Sequence, residues 1–246
     1  MKQIKILMGM PINVEIVDPS VTENAFQKVF DYFTYIDKTF STYKKTSEIS
    51  RINSGEISEN EYSNDMKTVF ALSEKTKQET NGCFNIFYNG TYNPSGLVKG
   101  WAIHNAAKLL KKSGFENFYI DAGGDIQVSG KNKEGKFWKV GIRNPFNQKE
   151  LVKVVCVSNQ GVATSGTYIR GNHIYNPKGK NQKIEDLVSL TVIGPDIYEA
   201  DRFATAAFAM GKKGALFIES LKGFEGYMIN KKGIATYTSG FEKYIL

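Results

Sequence analysis

The sequence predicts an α+β domain, antiparallel sheets flanked by helices, on three observations. Helical periodicity is confined to a few separated stretches. The long middle section reads as strands broken by Gly, Asn and Pro, and no repeat, low-complexity tract or linker divides the 246 residues. The chain therefore reads as one domain over residues 1–246 whose halves can pack as lobes.

Taken in order, Ile4 to Val17 alternates in strand fashion around Gly9 and Pro11. "TENAFQKVFDYFTYIDKTF" then places Phe26, Val29, Phe30, Phe33, Ile36 and Phe40 at helical spacing. In "FSTYKKTSEISRIN" hydroxyls crowd the chain after that helix. Either Ser47 or Ser50 caps a short turn, or Ser41, Thr42, Tyr43, Ser47, Ser50 and Asn53 form a polar loop with an aromatic face able to lie along a planar heterocycle. Further helices are expected from about Asn64 to Gln78 and from about Lys99 to Lys112, the second closed by Gly114.

"FENFYIDAGGDIQVSG" reads as strand, glycine turn, strand, and "FWKVGIRNP", "KVVCVSNQGVATSG" and "SLTVIGPD" extend the β-rich region. A short Ala-rich helix follows in "YEADRFATAAFAMG". "ALFIESL" is compatible with another helix, and "EGYMIN" with "GIATYTSGF" reads as a hairpin across Lys231 to Gly233.

Composition excludes several classes. A content of 41% hydrophobic and 23% charged residues is ordinary globular usage. No run of about 18 apolar residues occurs, so no membrane span is expected. The opening "MKQIKILMGMPINVEIVD" lacks the apolar core and A-x-A-like site of a signal peptide, and a cytoplasmic location is expected. Cys83 and Cys156 stand far apart without C-x-x-C spacing or a nearby histidine, so neither zinc nor a disulfide framework is indicated. A net charge of +7 suits an anionic ligand, yet the lysines are scattered among acids with no arginine-rich block, and no nucleic-acid partner is expected.

Four places could carry chemistry. Asp201 and Thr205, four residues apart in a helical segment, share a face and could offer two oxygen ligands to a hard divalent ion; the alternative is a helix-dipole acid with a core-facing threonine. In "DAGGDIQ", Gly123 and Gly124 permit close backbone approach to a ligand between Asp121 and Asp125, or simply make a tight hairpin turn. Lys99, between two glycines at a helix start, suits a pyrophosphate or decorates the surface. His173, one of two histidines, is either a structural imidazole or a proton carrier beside a phosphate pocket.

In their order and wording these motifs resemble the ApbE family of flavin transferases. The resemblance runs from "MGMPINVEI" at Met8 through "STYKKTSEISRIN", "SGLVKGWAI", "FYIDAGGDIQVSG" and "GVATSGTY" to "HIYNP" and "TVIGPDIYEADRFATAAFAMG". It implies a single ApbE-like, T-fold-related domain of a short form without a lipoprotein signal. It implies an enzyme that takes FAD as substrate, requires Mg²⁺, passes FMN to a Thr or Ser hydroxyl of an acceptor flavoprotein with a D-x-x-[ST]-G-A-[ST]-like motif, and releases AMP. Position by position, the resemblance makes Asp201 and Thr205 metal ligands, with the Ala163 carbonyl as a third. Lys99 and the turn of Gly123, Gly124 and Asp125 become FAD contacts, joined by Met8, Ser41, Thr42, Tyr43, Asp121 and Ser165. His173 becomes the general base for the acceptor hydroxyl, with Lys99 stabilising charge on the phosphoryl oxygens.

The chain departs from the family pattern in places. "CFNIFYNGTYNPSGLVKG" has Asn85 where the family has an acid and a much reduced segment before the lysine motif. Asn176-Pro177 replaces an Asp-Pro pair after His173, and His104, expected to be a surface or interface residue, replaces an acid. Losing a carboxylate near His173 removes one interaction favouring the imidazolium. Two alternatives therefore stand beside transfer: an FAD pyrophosphatase yielding FMN and AMP, or a non-catalytic FAD-binding protein.

Overall fold

The structure, a computed structural model, describes residues 1–166 and 187–245. Strands β1 (Lys2–Leu7) and β2 (Met10–Ile16) form a hairpin whose turn residues, Met8 and Gly9, both have positive φ, 53° and 72°. A two-residue turn of that hand matches the twist of its strands. Helix α1 (Glu23–Phe40) buries Phe26, Val29, Phe30, Phe33, Ile36 and Phe40, the face that the periodicity marks. Helix α2 (Glu48–Asn53) is capped by Ser47, whose hydroxyl accepts from the Ser50 N–H at 3.2 Å. Helix α3 (Asn64–Glu79) follows, and then a miniature hairpin of β3 (Phe87–Tyr88) and β4 (Thr91–Tyr92).

Helix α4 (Ser95–Lys112) starts earlier than expected, which puts Lys99 past the first turn. Pro94, with φ already near the helical value, offers its carbonyl to the N–H groups of Leu97 and Val98 at 3.0 and 2.9 Å. The polar and glycine residues of that first turn hid it in the sequence. Gly114, at φ 87°, lies just past the helix end, as expected.

The remaining elements are β5 (Phe118–Ala122), β6 (Asp125–Ser129), β7 (Trp138–Arg143), β8 (Leu151–Val157), β9 (Gly161–Gly166), β10 (Leu187–Gly194), α5 (Ile197–Ala209), α6 (Gly214–Ser220), β11 (Glu225–Asn230) and β12 (Ala235–Tyr237). Eight strands make one antiparallel sheet in the order β1-β2-β5-β6-β9-β10-β11-β12. The expected α+β class is therefore the observed one.

Alternate residues feed two apolar clusters on opposite faces of this sheet. Ala163 and Val192 join the larger cluster with α1, α4 and α5, whereas their neighbours Val162 and Ile193 join the smaller one. The smaller cluster also takes Val140 and Ile142 of β7 and Val155 and Val157 of β8, which pair as a separate ribbon. The Trp138 indole N–H pins that ribbon to the sheet by donating to the Ser129 carbonyl at 2.9 Å. Among the described residues, no helix is long and apolar enough to cross a membrane.

Helices α4 and α5 approach unusually closely because glycines sit between them. A Cβ on Gly100 would fall 2.6 Å from the Asp201 Cβ and 2.7 Å from the Ile197 carbonyl oxygen. Gly161 does the same for the sheet, since a side chain there would overlap the backbone of Asp196 and Ile197. The amide of Gln127 on β6 completes the joint: its oxygen accepts from the Ile197 N–H at 2.8 Å, one of the donors a helix start leaves free. On its other side, α5 holds buried Arg202 against Glu79 of α3 and against Glu199, 2.9 Å from Nε. We expect Gly100→Ala to destabilise the fold by about 1–3 kcal/mol. Urea unfolding checks this: the midpoint should fall with the slope unchanged.

Candidate active site

A cavity of about 470 Å³ lies where the chain's early hairpin, middle turn and late helix come together. Its volume falls in the roughly 300–1,000 Å³ range of small-molecule sites. Gly9, Met10 and Pro11 line it beside the β5–β6 turn, Phe84, Asn85 and Ile86 beside the first turns of α4, and Ser165 beside Asp201 and Thr205.

Its charged centre joins three elements. Lys99 Nζ of α4 contacts Asp125 Oδ2 of β6 and lies 4.0 Å from Asp201 Oδ1 of α5. Asp201 Oδ2 accepts from the Gly100 N–H at 2.8 Å, and Asp125 Oδ1 accepts from the Thr164 N–H at 3.1 Å. The Thr164 hydroxyl in turn shares a hydrogen bond of 2.8 Å with that of Thr191.

Two carboxylates against one ammonium leave an excess negative charge in a buried place. Burial pushes the Asp201 carboxyl up to about 7; Lys99 and the Gly100 N–H oppose the rise and Asp125 adds to it. Thr205, one turn beyond Asp201, donates its hydroxyl to the Gly96 carbonyl at 3.2 Å. This is a donor set of hard oxygens with uncompensated charge, and it fits a divalent cation such as Mg²⁺. Among the described residues no group of three or more His, Cys, Asp or Glu could hold a metal. A cation here would therefore be completed by hydroxyl, carbonyl and substrate oxygens.

The expected glycine turn is present, with Gly123 and Gly124 at φ 64° and 98°. Asp121 orders it by accepting from the Gly124 N–H at 2.8 Å. Burial raises the Asp121 carboxyl, opposed by that N–H and by Arg143.

Of the residues singled out in the sequence, Lys99, Asp121, Gly123, Gly124, Ser165, Asp201 and Thr205 line the cavity. Asp125 is buried against Lys99, and Ala163 is buried in β9 in register with Val192; neither is among the lining residues. Met8 packs against the larger core while its neighbours Gly9 and Met10 line the cavity. Ser41, Thr42 and Tyr43 follow α1 and do not line it. The Ser41 carbonyl accepts from the Ser47 hydroxyl at 2.7 Å, and Tyr43 is 98% exposed.

His173 and Asn176 lie outside the described residues. His104 bridges α4 to α5, with Nδ1 3.4 Å from Asp196 Oδ1, and burial lowers its pKa. Asn85 lines the cavity and its side-chain oxygen accepts from the Phe87 N–H at 3.1 Å. Sequence reasoning missed Arg143, Gln148 and Met10 in the lining. A cation at the last position of a strand was the only mark of Arg143, and it does not reveal what the side chain faces.

The model of the ApbE family matches residues 8–93 and 90–228. A curated FAD:protein FMN transferase from Escherichia coli K12 is 31% identical over 148 residues, which is 56% of this chain and 42% of that protein. The chain thus matches less than half the length of such curated relatives. Among solved structures, the flavin transferase ApbE from Vibrio cholerae superposes with a TM-score of 0.85 at 21% identity, covering 100% of this chain and 99% of that one. An ApbE protein from Thermotoga maritima gives 0.87 at 19% identity, again covering 100% of this chain and 99% of that one. At these identities the superpositions show a shared fold.

The charge imbalance has a measurable consequence in the cation-free protein. An unfolded aspartate ionises near pH 3.9, while folded Asp201 holds its proton to about 7. Between those values the unfolded state binds fewer protons, so stability is lost as pH rises from about 4 to about 7. Asp201→Asn keeps an oxygen for the Gly100 N–H and removes the charge. With chelator present, its thermal midpoint should overtake that of the unaltered protein as pH goes from 4.5 to 8; a constant gap would contradict this.

Proposed function

The chain belongs to the ApbE family, and from that premise we propose that it is an FAD:protein FMN transferase: it moves FMN from FAD to a Thr or Ser hydroxyl of an acceptor flavoprotein and releases AMP. The observation that supports this reading most is that Asp201, Thr205, Lys99 and the Asp121 to Gly124 turn line one cavity. They come from α4, α5 and β5–β6, elements distant in sequence.

In this reading the Asp201 carboxylate, the Thr205 hydroxyl and the Ala163 carbonyl would hold Mg²⁺, which would supply Lewis-acid charge to the phosphoryl oxygens. Lys99 holds Asp125 and Asp201 in fixed positions, so the ligand carboxylate is oriented before substrate arrives. The glycine turn, free of side chains, lets the substrate's phosphates approach backbone N–H groups. The acceptor oxygen forms a bond to the flavin-side phosphorus as the bond from that phosphorus to the bridging oxygen breaks, and the electron pair leaves with AMP. His173 takes the acceptor's proton, a contribution of about 10²- to 10⁴-fold for a hydroxyl hardly ionised at neutral pH.

The deciding assay mixes the protein with FAD, Mg²⁺ and an acceptor bearing a D-x-x-[ST]-G-A-[ST]-like motif. The acceptor should gain the mass of FMN, with AMP released in equal amount. AMP released at the same rate without acceptor would make the protein a pyrophosphatase, and no AMP in either case would leave only a flavin binder.

Thr205→Val keeps the side chain's shape and deletes an oxygen. It should reduce transfer at least tenfold and abolish the rise in thermal midpoint that Mg²⁺ gives the unaltered protein. His173→Ala should slow transfer by about 10²-fold or more while FAD binding persists, as fluorescence titration would show.

A further inference from the structure

Two cationic residues line the cavity among the described ones, Lys99 and Arg143, and they are not equivalent. The Lys99 side chain is only 16% exposed and its ammonium is already held by Asp125 and Asp201. Its charge is more than cancelled locally, so it has little left for a phosphate. Arg143 ends β7 with an exposed side chain. It shares the cavity lining with Asp121, Gly123 and Gly124, and its charge opposes the rise that burial gives the Asp121 carboxyl.

The support beneath Arg143 is firm. β7 is pinned through Trp138 to the sheet. The loop after it is tied internally: the Asn144 N–H donates to the Glu150 carbonyl at 2.9 Å, the Asn144 side-chain oxygen accepts from the Phe146 N–H at 3.0 Å, and the Asn147 amide donates to the Glu150 carboxylate at 2.7 Å. Gln148, on this loop, also lines the cavity.

We propose that Arg143, flanked by Gln148, is the residue that recognises the phosphates of the dinucleotide substrate, while Lys99 serves the carboxylates. A guanidinium presents a planar fork to two phosphate oxygens at once, which an ammonium cannot do. The inference rests on the proposed flavin transfer for the identity of the dinucleotide, and on the cavity alone for phosphate recognition.

Equilibrium binding of FAD, ADP and riboflavin to the full chain, with and without Mg²⁺, tests it in the unaltered protein and in Arg143→Gln and Arg143→Lys. Arg143→Gln should weaken FAD and ADP at least tenfold with an unchanged thermal midpoint, and Arg143→Lys should fall between. Riboflavin, which has no phosphate, should bind both proteins alike or neither. Unaltered FAD and ADP affinity in Arg143→Gln would overturn the assignment, as would an equal loss for riboflavin. Arg143-dependent binding of ADP without binding of FAD would sink the flavin reading and leave the assignment standing. Failure of the unaltered protein to bind any of the three would sink both.

Discussion

One buried ammonium shared by two carboxylates is the constraint on which the cavity depends. Lys99, Asp125 and Asp201 come from α4, β6 and α5, so their pairing locks two helices to the sheet at a single point. Buried charges persist only when paired and hydrogen-bonded, and here the backbone completes the set through Gly100 and Thr164. The hydrogen bond from Gly100 requires the helices to lie closer than any side chain would allow. Packing and electrostatics are thus one requirement: the glycine that admits the close approach also donates to the carboxylate that the approach brings in.

The sheet explains why such distant segments meet. All eight strands run antiparallel, so hairpin turns gather at its ends, and the β1–β2 and β5–β6 turns fall side by side because β2 pairs with β5. Positive-φ residues make both turns tight enough to leave space. The start of α5 then drops onto β9 at Gly161 and donates its Ile197 N–H to the Gln127 side-chain oxygen, which aims Asp201 and Thr205 at that space.

Much of this was legible in the chain. The apolar stripe of α1 named its buried face residue by residue, the glycine pair after Asp121 marked a hairpin, and the four-residue step from Asp201 to Thr205 placed both on one face. Local periodicity and turn chemistry suffice for such features. What stayed hidden depended on contacts distant in sequence. Nothing nearby in the sequence reveals that Asp125 and Asp201 engage the charge of Lys99. Tyr43 belonged to a motif whose wording says nothing of exposure, and Arg143 to a ribbon held to the sheet by apolar packing and by an indole reaching Ser129, contacts distant in sequence.

The β7–β8 ribbon draws its apolar support from the face of the sheet opposite α4 and α5. The buried charges sit on the helical side. The cavity wall that carries Arg143 and the wall that carries Asp201 are thus braced by different apolar clusters, on opposite sides of one sheet.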